Sequence, residues 1–189
     1  MARSTQPHTI GPLSPDMAVL GCLYGAPGYG YDLHKTITQD LGQVWHLSQS
    51  QAYSILKRMQ REGMIRMELV QQEKLPDKQL WHITDCGRSH FLAWLGAASG
   101  GSTRAIRMEF VTRLYFLRKY MPAECQSAFD RQRSEIGKQL ERLRGNLEAL
   151  PASQTYNQMS LELRIAQLAA TQLWLAQWAE KICQSEEGA

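Results

Sequence analysis

At 189 residues, with 43% hydrophobic and 21% charged side chains, the chain has the composition of a folded globular protein and not of a disordered one. Its net charge of +3 is too mild to demand a nucleic-acid partner, so any such signal must come from where the charges sit. No apolar run approaches the roughly 20 residues of a membrane span, and Met1 to Pro15 lacks the charged-then-apolar order of a secretion signal, which predicts a cytoplasmic protein. Cys22, Cys86, Cys125 and Cys183 form no CxxC pair and no cluster with histidine at metal spacing, so they read as reduced structural thiols and no metal or cofactor is expected. His8, His34, His46, His82 and His90 fall at irregular spacing and read as surface or packing residues.

Ser14-Pro15-Asp16 supplies a cap, a first-turn proline and an early acid, predicting a first amphipathic helix with Met17, Leu20 and Leu23 on its buried side. Three glycines and Pro27 between Gly25 and Gly30 break it. A second helix, Tyr31 to Leu41, carries Leu33, Ile37 and Leu41 every four residues, with Gly42 as its expected C-terminal cap. Ser48 caps a third helix that runs to about Glu62 on the stripe Ala52, Ile55, Leu56 and Met59, and Gly63 stops it. Ile65 to Val70 and Leu80 to Ile83 read as two short strands around a polar loop, Gln71 to Gln79, which holds Lys74 and Lys78. Thr84 caps a fourth helix containing Phe91, Leu92, Trp94 and Leu95. Three helices, a hairpin and a helix make the order of a winged helix.

Gly96 to Ser102, GAASGGS, reads as a linker and divides the chain into a winged-helix domain at 13–98 and a helical domain at 103–185. Helices are predicted at Arg104 to Tyr120, Pro122 to Leu150 and Thr155 to Gln184. In the middle one Ile136, Leu140, Leu143, Leu147 and Leu150 step by four and three, as in a coiled coil. The last carries Leu161, Ile165, Leu168, Leu175 and Ile182 along one stripe, beside Trp174 and Trp178. Seams of this length need a partner surface, and Ile136, Leu140, Leu143, Leu147, Leu161, Ile165, Leu168 and Leu175 are expected to supply dimer contacts. The fold class is therefore mainly α with a small β-hairpin wing, a winged helix-turn-helix followed by an antiparallel helical dimerisation domain.

The third helix carries the functional signal. A helix-turn-helix works when its second helix enters the major groove and meets base edges and phosphates with exposed polar side chains. Opposite the apolar stripe, Ser48, Gln49, Ser50, Gln51 and Ser54 offer amides and hydroxyls suited to base edges or phosphates. Lys57, Arg58 and Arg61 follow, cations suited to phosphates, and with Arg66 they face the single Glu62 within ten residues, the densest basic patch in the sequence. Lys74 and Lys78 on the wing add a second electrostatic contact. A polar face opposite an apolar stripe is also what any solvated helix shows; the polar front, basic rear and basic hairpin together separate this one from that default. No glycine-rich phosphate loop, GxSxG turn or HExxH pair points to an enzyme. A winged helix used for protein contacts stays open as an alternative.

The blocks LSPDMAVLGCLYGAPGYGYDLHKTI, WHLSQSQAYSILKRMQREGMI and KQLWHITDCGRSHFLAWL, between residues 13 and 95, resemble the successive blocks of the PadR family of transcriptional regulators. The specific marks are GYGYDL leading into the second helix, Tyr53 within SxxxAYxxLxRMxxEGxI, and Thr84-Asp85 opening the fourth helix. Gln51 and Ala52 depart from the small pair the family usually shows before the tyrosine, which bears on base preference. The resemblance implies a homodimeric, sequence-specific DNA-binding regulator, a repressor by family default. In it Tyr31 and Tyr53 would approach the DNA backbone, with the Ser48 to Arg61 helix in the major groove. The carboxyl half resembles the longer members related to virulence-gene activators, whose helical arms clasp in antiparallel fashion. Some relatives sense phenolic acids or hydrophobic drugs, so a small aromatic or hydrophobic effector is an alternative partner; Trp45, Trp81 and Trp94 read instead as core or dimer packing.

Overall fold

The computed structural model describes residues 14–72 and 77–183. They fall into two compact units, one ending at Leu92 and the other beginning at Ala93.

The first unit opens with α1 (Asp16–Gly25), whose capping residue is Pro15, so Ser14 is not its N-cap. The Ser14 hydroxyl instead donates to Asp16 Oδ1 at 2.6 Å. Nor is α1 two-faced as expected: Asp16, Met17, Ala18, Val19, Leu20, Gly21 and Leu23 are all buried. The reason is enclosure, since α2 (Gly30–Leu41), α3 (Gln49–Arg61) and the strand β3 (Lys78–Ile83) all pack against it. On α2 the four-residue period holds, with Leu33, Ile37 and Leu41 buried, and on α3 Ala52, Leu56 and Met59 are buried while Ile55 is half-buried. Gly63 ends the helix region at φ 73°, a left-handed conformation that glycine adopts without steric cost.

The sheet has one strand more than the hairpin. Gly28 and Tyr29 form β1, and with β2 (Ile65–Val70) the order is β1-β3-β2, both pairings antiparallel. Pairing of Val70 with Lys78 moves Lys78 out of the loop, where the sequence pattern put it, and onto the first position of β3. Lys74 lies outside the described residues. Thr84 does open α4 (Asp85–Gly96): its hydroxyl oxygen accepts from Gly87 N at 3.1 Å and lies 2.7 Å from the Gly63 carbonyl, joining the helix to the turn after α3.

In the second unit GAASGGS is anchored, not loose. Ser99 is buried; its N–H donates to Gln132 Oε1 at 2.8 Å and its carbonyl accepts from Gln132 Nε2 at 3.1 Å. The Ser99 hydroxyl also takes a bond from Arg113, whose Nε donates to the Trp94 carbonyl at 2.9 Å and whose guanidinium lies 4.6 Å from the Trp94 ring centroid. Burial pulls the Arg113 pKa down to about 10, still charged at neutral pH. Small residues permit this because nothing bulky separates the backbone from Gln132. Beyond it, α5 (Thr103–Ala105), a π-turn (Ile106–Phe110) and α6 (Val111–Tyr120) run on as one helical stretch. A 3₁₀ turn (Pro122–Glu124) leads into α7 (Cys125–Glu148), and α8 (Thr155–Cys183) folds back along it.

That hairpin corrects the sequence reading of the long seams. Ile136, Leu140 and Leu143 of α7 and Leu168 and Leu175 of α8 are each no more than 3% exposed within a single protomer, and Leu147, Leu161 and Ile165 are half-buried. The buried members of the stripes, Ile136, Leu140, Leu143, Leu168 and Leu175, are covered within the protomer, where α7 and α8 pack together. Among the described residues no helix is long and apolar enough to cross a membrane.

Candidate nucleic-acid interface

The front of α3 is built by a capping box. Gln51 N donates to Ser48 Oγ at 3.3 Å, and Ser48 N donates to Gln51 Oε1 at 2.9 Å, so two amides that the first helical turn leaves unpaired are satisfied reciprocally. The Ser48 hydroxyl also lies 3.1 Å from Ser50 Oγ. The box gives Gln51 a local job the sequence reading did not assign. Its side-chain oxygen is committed to the cap, whereas bidentate bonding to adenine needs both oxygen and nitrogen of the amide. Gln49, exposed and without a hydrogen bond among the described residues, has both to offer.

Ser50, Gln51, Ser54, Lys57 and Arg61 are exposed on the sides away from Ala52, Leu56 and Met59, and Ser48 and Gln49 are exposed at the amino end of the helix. Among the described residues Arg61 Nε makes a single long contact, 3.4 Å to its own helix at the Lys57 carbonyl. Arg58 is different. Its guanidinium bonds Asp16 Oδ1 at 2.5 Å, a carboxylate with no exposure, and stands 3.8 Å from Glu62. That hydrogen bond and the nearby negative charges raise the Arg58 pKa further, and Asp16 Oδ2 has no partner among the described residues. The cation grouped with Lys57 and Arg61 for phosphates is thus a clamp that fixes α3 to α1.

At the amino end of α2 the chain comes close to α3. A Cβ on Gly30 would stand 2.8 Å from the Tyr53 ring, so the absence of a side chain there lets Tyr53 lie across the start of α2, half-buried. Tyr31, next along, is 57% exposed. Tyr31, Tyr53 and Lys78 meet in a cleft of about 480 Å³, together with Tyr29, Gly30 and Gln79. Lys78 Nζ sits 5.6 Å from the Tyr29 ring centroid, so β1 positions the wing lysine through an aromatic face. Sequence reasoning missed Tyr29 because two residues of strand in a glycine-rich turn carry no periodicity. It also missed Asp32 and Asp77, which line the same cleft and place two carboxylates beside the lysine. Of the aromatic residues weighed as ligand contacts, Trp45 and Trp81 are core, and Trp94 is the half-buried platform under Arg113.

Part of the chain is similar in sequence to known proteins. Residues 19–93 match the model described as the Transcriptional regulator PadR-like family. Over 136 residues the chain is 29% identical to the negative transcriptional regulator PadR of Bacillus subtilis, covering 72% of this chain and 74% of the relative. It is 30% identical over 78 residues to the probable transcriptional regulator Rv1176c of Mycobacterium tuberculosis, 41% of each chain. Among solved structures, Bacillus subtilis PadR in complex with operator DNA aligns over 88% of this chain and 98% of its own at 25% identity, with a TM-score of 0.44. The Vibrio cholerae virulence activator AphA aligns over 91% and 97% at 21% identity, with a TM-score of 0.37. Residues 19–93, which fold in winged-helix order, are thus similar to the PadR-like transcriptional regulator family.

Proposed function

We propose that the chain is a DNA-binding transcriptional regulator, a repressor that acts as a homodimer and sets one α3 into the major groove of each operator half-site. The observation that carries this reading is the open surface of α3: two serines, a glutamine and two cations exposed away from its core stripe, with Ser48 and Gln49 exposed at its amino end. Gln49 is assigned to base edges, Ser50 and Ser54 to base edges or phosphates, and Lys57 and Arg61 to phosphates. Tyr31, Tyr53 and Lys78 approach the backbone beside it, while Arg58, Ser48 and Gln51 hold the helix in shape and position. A relative's name as a negative regulator supports repression.

Footprinting on the DNA upstream of the chain's own gene tests this, with affinity followed by anisotropy as salt is raised. Binding through several phosphates predicts a linear fall of log affinity with log salt at a slope of roughly −0.9 per neutralised phosphate. Absence of protection and of retardation at low salt would instead favour a winged helix that contacts protein. A second reading, release of DNA by a small aromatic or hydrophobic molecule, is favoured by a cleft of about 550 Å³ in the second unit walled by Ile106, Val111, Ala170 and Trp174. Repeating the anisotropy titration with planar aromatic carboxylates checks it; affinity unchanged across them counts against release.

A further inference from the structure

The peptide group between Leu47 and Ser48 opens α3, and side chains hold it at both ends. Its N–H, that of Ser48, donates to Gln51 Oε1 at 2.9 Å within the capping box. Its carbonyl, that of Leu47, lies before the helix and outside the helical ladder, and it accepts from His34 Nε2 at 2.7 Å. His34 stands on α2, 13 positions earlier in the chain. A carbonyl can only accept, so this contact puts a hydrogen on Nε2. One turn further along α2 the Thr38 hydroxyl donates to the His34 carbonyl at 2.8 Å and lies 3.5 Å from the same ring nitrogen. His34 and Leu47 are both half-buried, which keeps water from competing freely for the bond.

We propose that His34 is a positioning residue for base reading by α3: it ties the entry peptide to α2, so that Gln49 meets its base edge in a fixed direction. The proposal deepens the DNA-binding reading above and rests on the assignment of Gln49 to a base edge. Gln49 is the first residue of α3, where amides have no partner four residues back, so the ladder of the helix does not hold it. The core does not hold it either, since the first buried residue of α3 is Ala52. On the other side, the turn is anchored at the buried Trp45, whose N–H donates to the Leu41 carbonyl at 2.8 Å, and His46 and Leu47 then run to Ser48 without regular structure. Ser48 and Gln51 cannot set a direction, because both belong to α3 and move with it. His34 can, because α2 is fixed in the core by Leu33 and Ile37 on either side of it. An amide that reads adenine in two places needs both of its bonds aligned, and hydrogen bonds weaken steeply off their preferred angle. Lys57 and Arg61, on long side chains two and three turns later, tolerate a small swing of the helix entrance and keep their phosphates. The tie therefore acts on discrimination between base pairs and little on affinity for DNA in general.

The test uses the full chain and compares His34→Leu, which keeps bulk without a donor, with His34→Gln, whose amide nitrogen can replace Nε2 as donor. Helix content is checked by circular dichroism. In the DNA-free protein, hydrogen exchange at the Ser48 amide should accelerate at least about tenfold in His34→Leu, because the peptide has lost one of its two holds. On the footprinted upstream DNA, changed one base pair at a time, His34→Leu should lose about fivefold to tenfold in preference at the pair that Gln49→Ala identifies, with affinity for random duplex within about twofold of wild type. His34→Gln should recover both readouts to within about threefold, and adding His34→Leu to Gln49→Ala should cost no further preference, since nothing is left to position. Unchanged Ser48 exchange, equal losses on operator and random duplex, a glutamine variant no better than the leucine one, or additive losses in the double variant would each overturn the proposal. Gln49→Ala is the separate control. If it relaxes a base preference that His34→Leu leaves intact, only the positioning role fails; if it relaxes none, the base-edge assignment fails and the positioning role with it.

Discussion

Helices α3 and α8 are built alike and finished differently. Each buries one stripe, Ala52, Leu56 and Met59 on α3 and Leu168, Leu175 and Ala179 on α8, and leaves the opposite side open. On α3 the open side is serine, glutamine, lysine and arginine; on α8 the exposed surface includes Tyr156, Met159, Leu163 and Leu173 beside polar and charged residues such as Glu162 and Arg164. Hydrophobic burial explains the closed sides in the same terms, so the difference in chemistry of the open sides is a statement about partners. A polar, cationic face loses little by staying in water and gains when phosphates displace counterions. An apolar face gains only when another apolar face covers it.

Two neighbouring leucines on α8 give the sharpest way to break that contrast. Leu175→Ala, in the buried stripe, should cost about 3 kcal/mol of folding stability by leaving a cavity. Leu173→Ala, on the exposed surface, should leave the unfolding of a diluted monomer nearly unchanged. Urea unfolding across a range of protein concentrations separates the two, and equal costs at low concentration would erase the distinction between the buried and exposed sides.

On α3 the corresponding break is Arg58→Ala. It leaves Asp16 buried without its ion pair, and the expected loss is about 2 kcal/mol, below the 3–5 kcal/mol of fully buried pairs because Arg58 is more than a third exposed. Replacing both by leucine should recover most of that stability, since a buried ion pair returns little beyond its own desolvation. Should Arg58→Ala unfold at the wild-type urea concentration while losing DNA affinity, Arg58 would belong to the phosphate-binding set after all. Asp16 and Arg58 are 42 positions apart, and neither spacing nor composition announces the pair.

That separation is typical of what could and could not be read from the residues. Local chemistry was legible: the Ser48 cap, the stop at Gly63, the Thr84 cap and the position of β2 all rest on residues close in sequence, and the structure has each of them, although the alternation of β2 fails at Leu69, which is exposed. Features that depend on the rest of the chain were not. Asp16 looked like a dipole-compensating first-turn acid and is a buried anchor, because three elements close over α1. Ser99 sits in a glycine-rich run that suggests a tether, yet Arg113 and Gln132 hold it from 14 and 33 positions away. The leucine seams were seen correctly as seams, but a stripe on one helix does not say whether its cover comes from the same molecule or another.

Smaller effects sharpen the division of labour along α3. Lys57→Ala should weaken binding to operator and random duplex alike by about 1 kcal/mol and make the salt slope shallower by about one charge, because a phosphate contact carries little sequence information. Loss confined to the operator would place Lys57 on a base edge.

The finest distinction is between two glutamines two residues apart on α3. Gln51→Ala removes half of the capping box, so it should lower stability by about 0.5–1 kcal/mol and loosen all DNA binding slightly. Gln49→Ala removes an amide with no partner among the described residues, so it should leave stability alone and relax discrimination at one operator base pair, a preference worth about 1–3 kcal/mol where an amide reads adenine in two places. Measuring each variant against operators changed one base pair at a time, beside its urea midpoint, resolves the pair. If the base-specific loss follows Gln51 and the stability loss follows neither, the capping box opens on DNA and its amide turns to the groove. The front of α3 would then be shaped by the duplex.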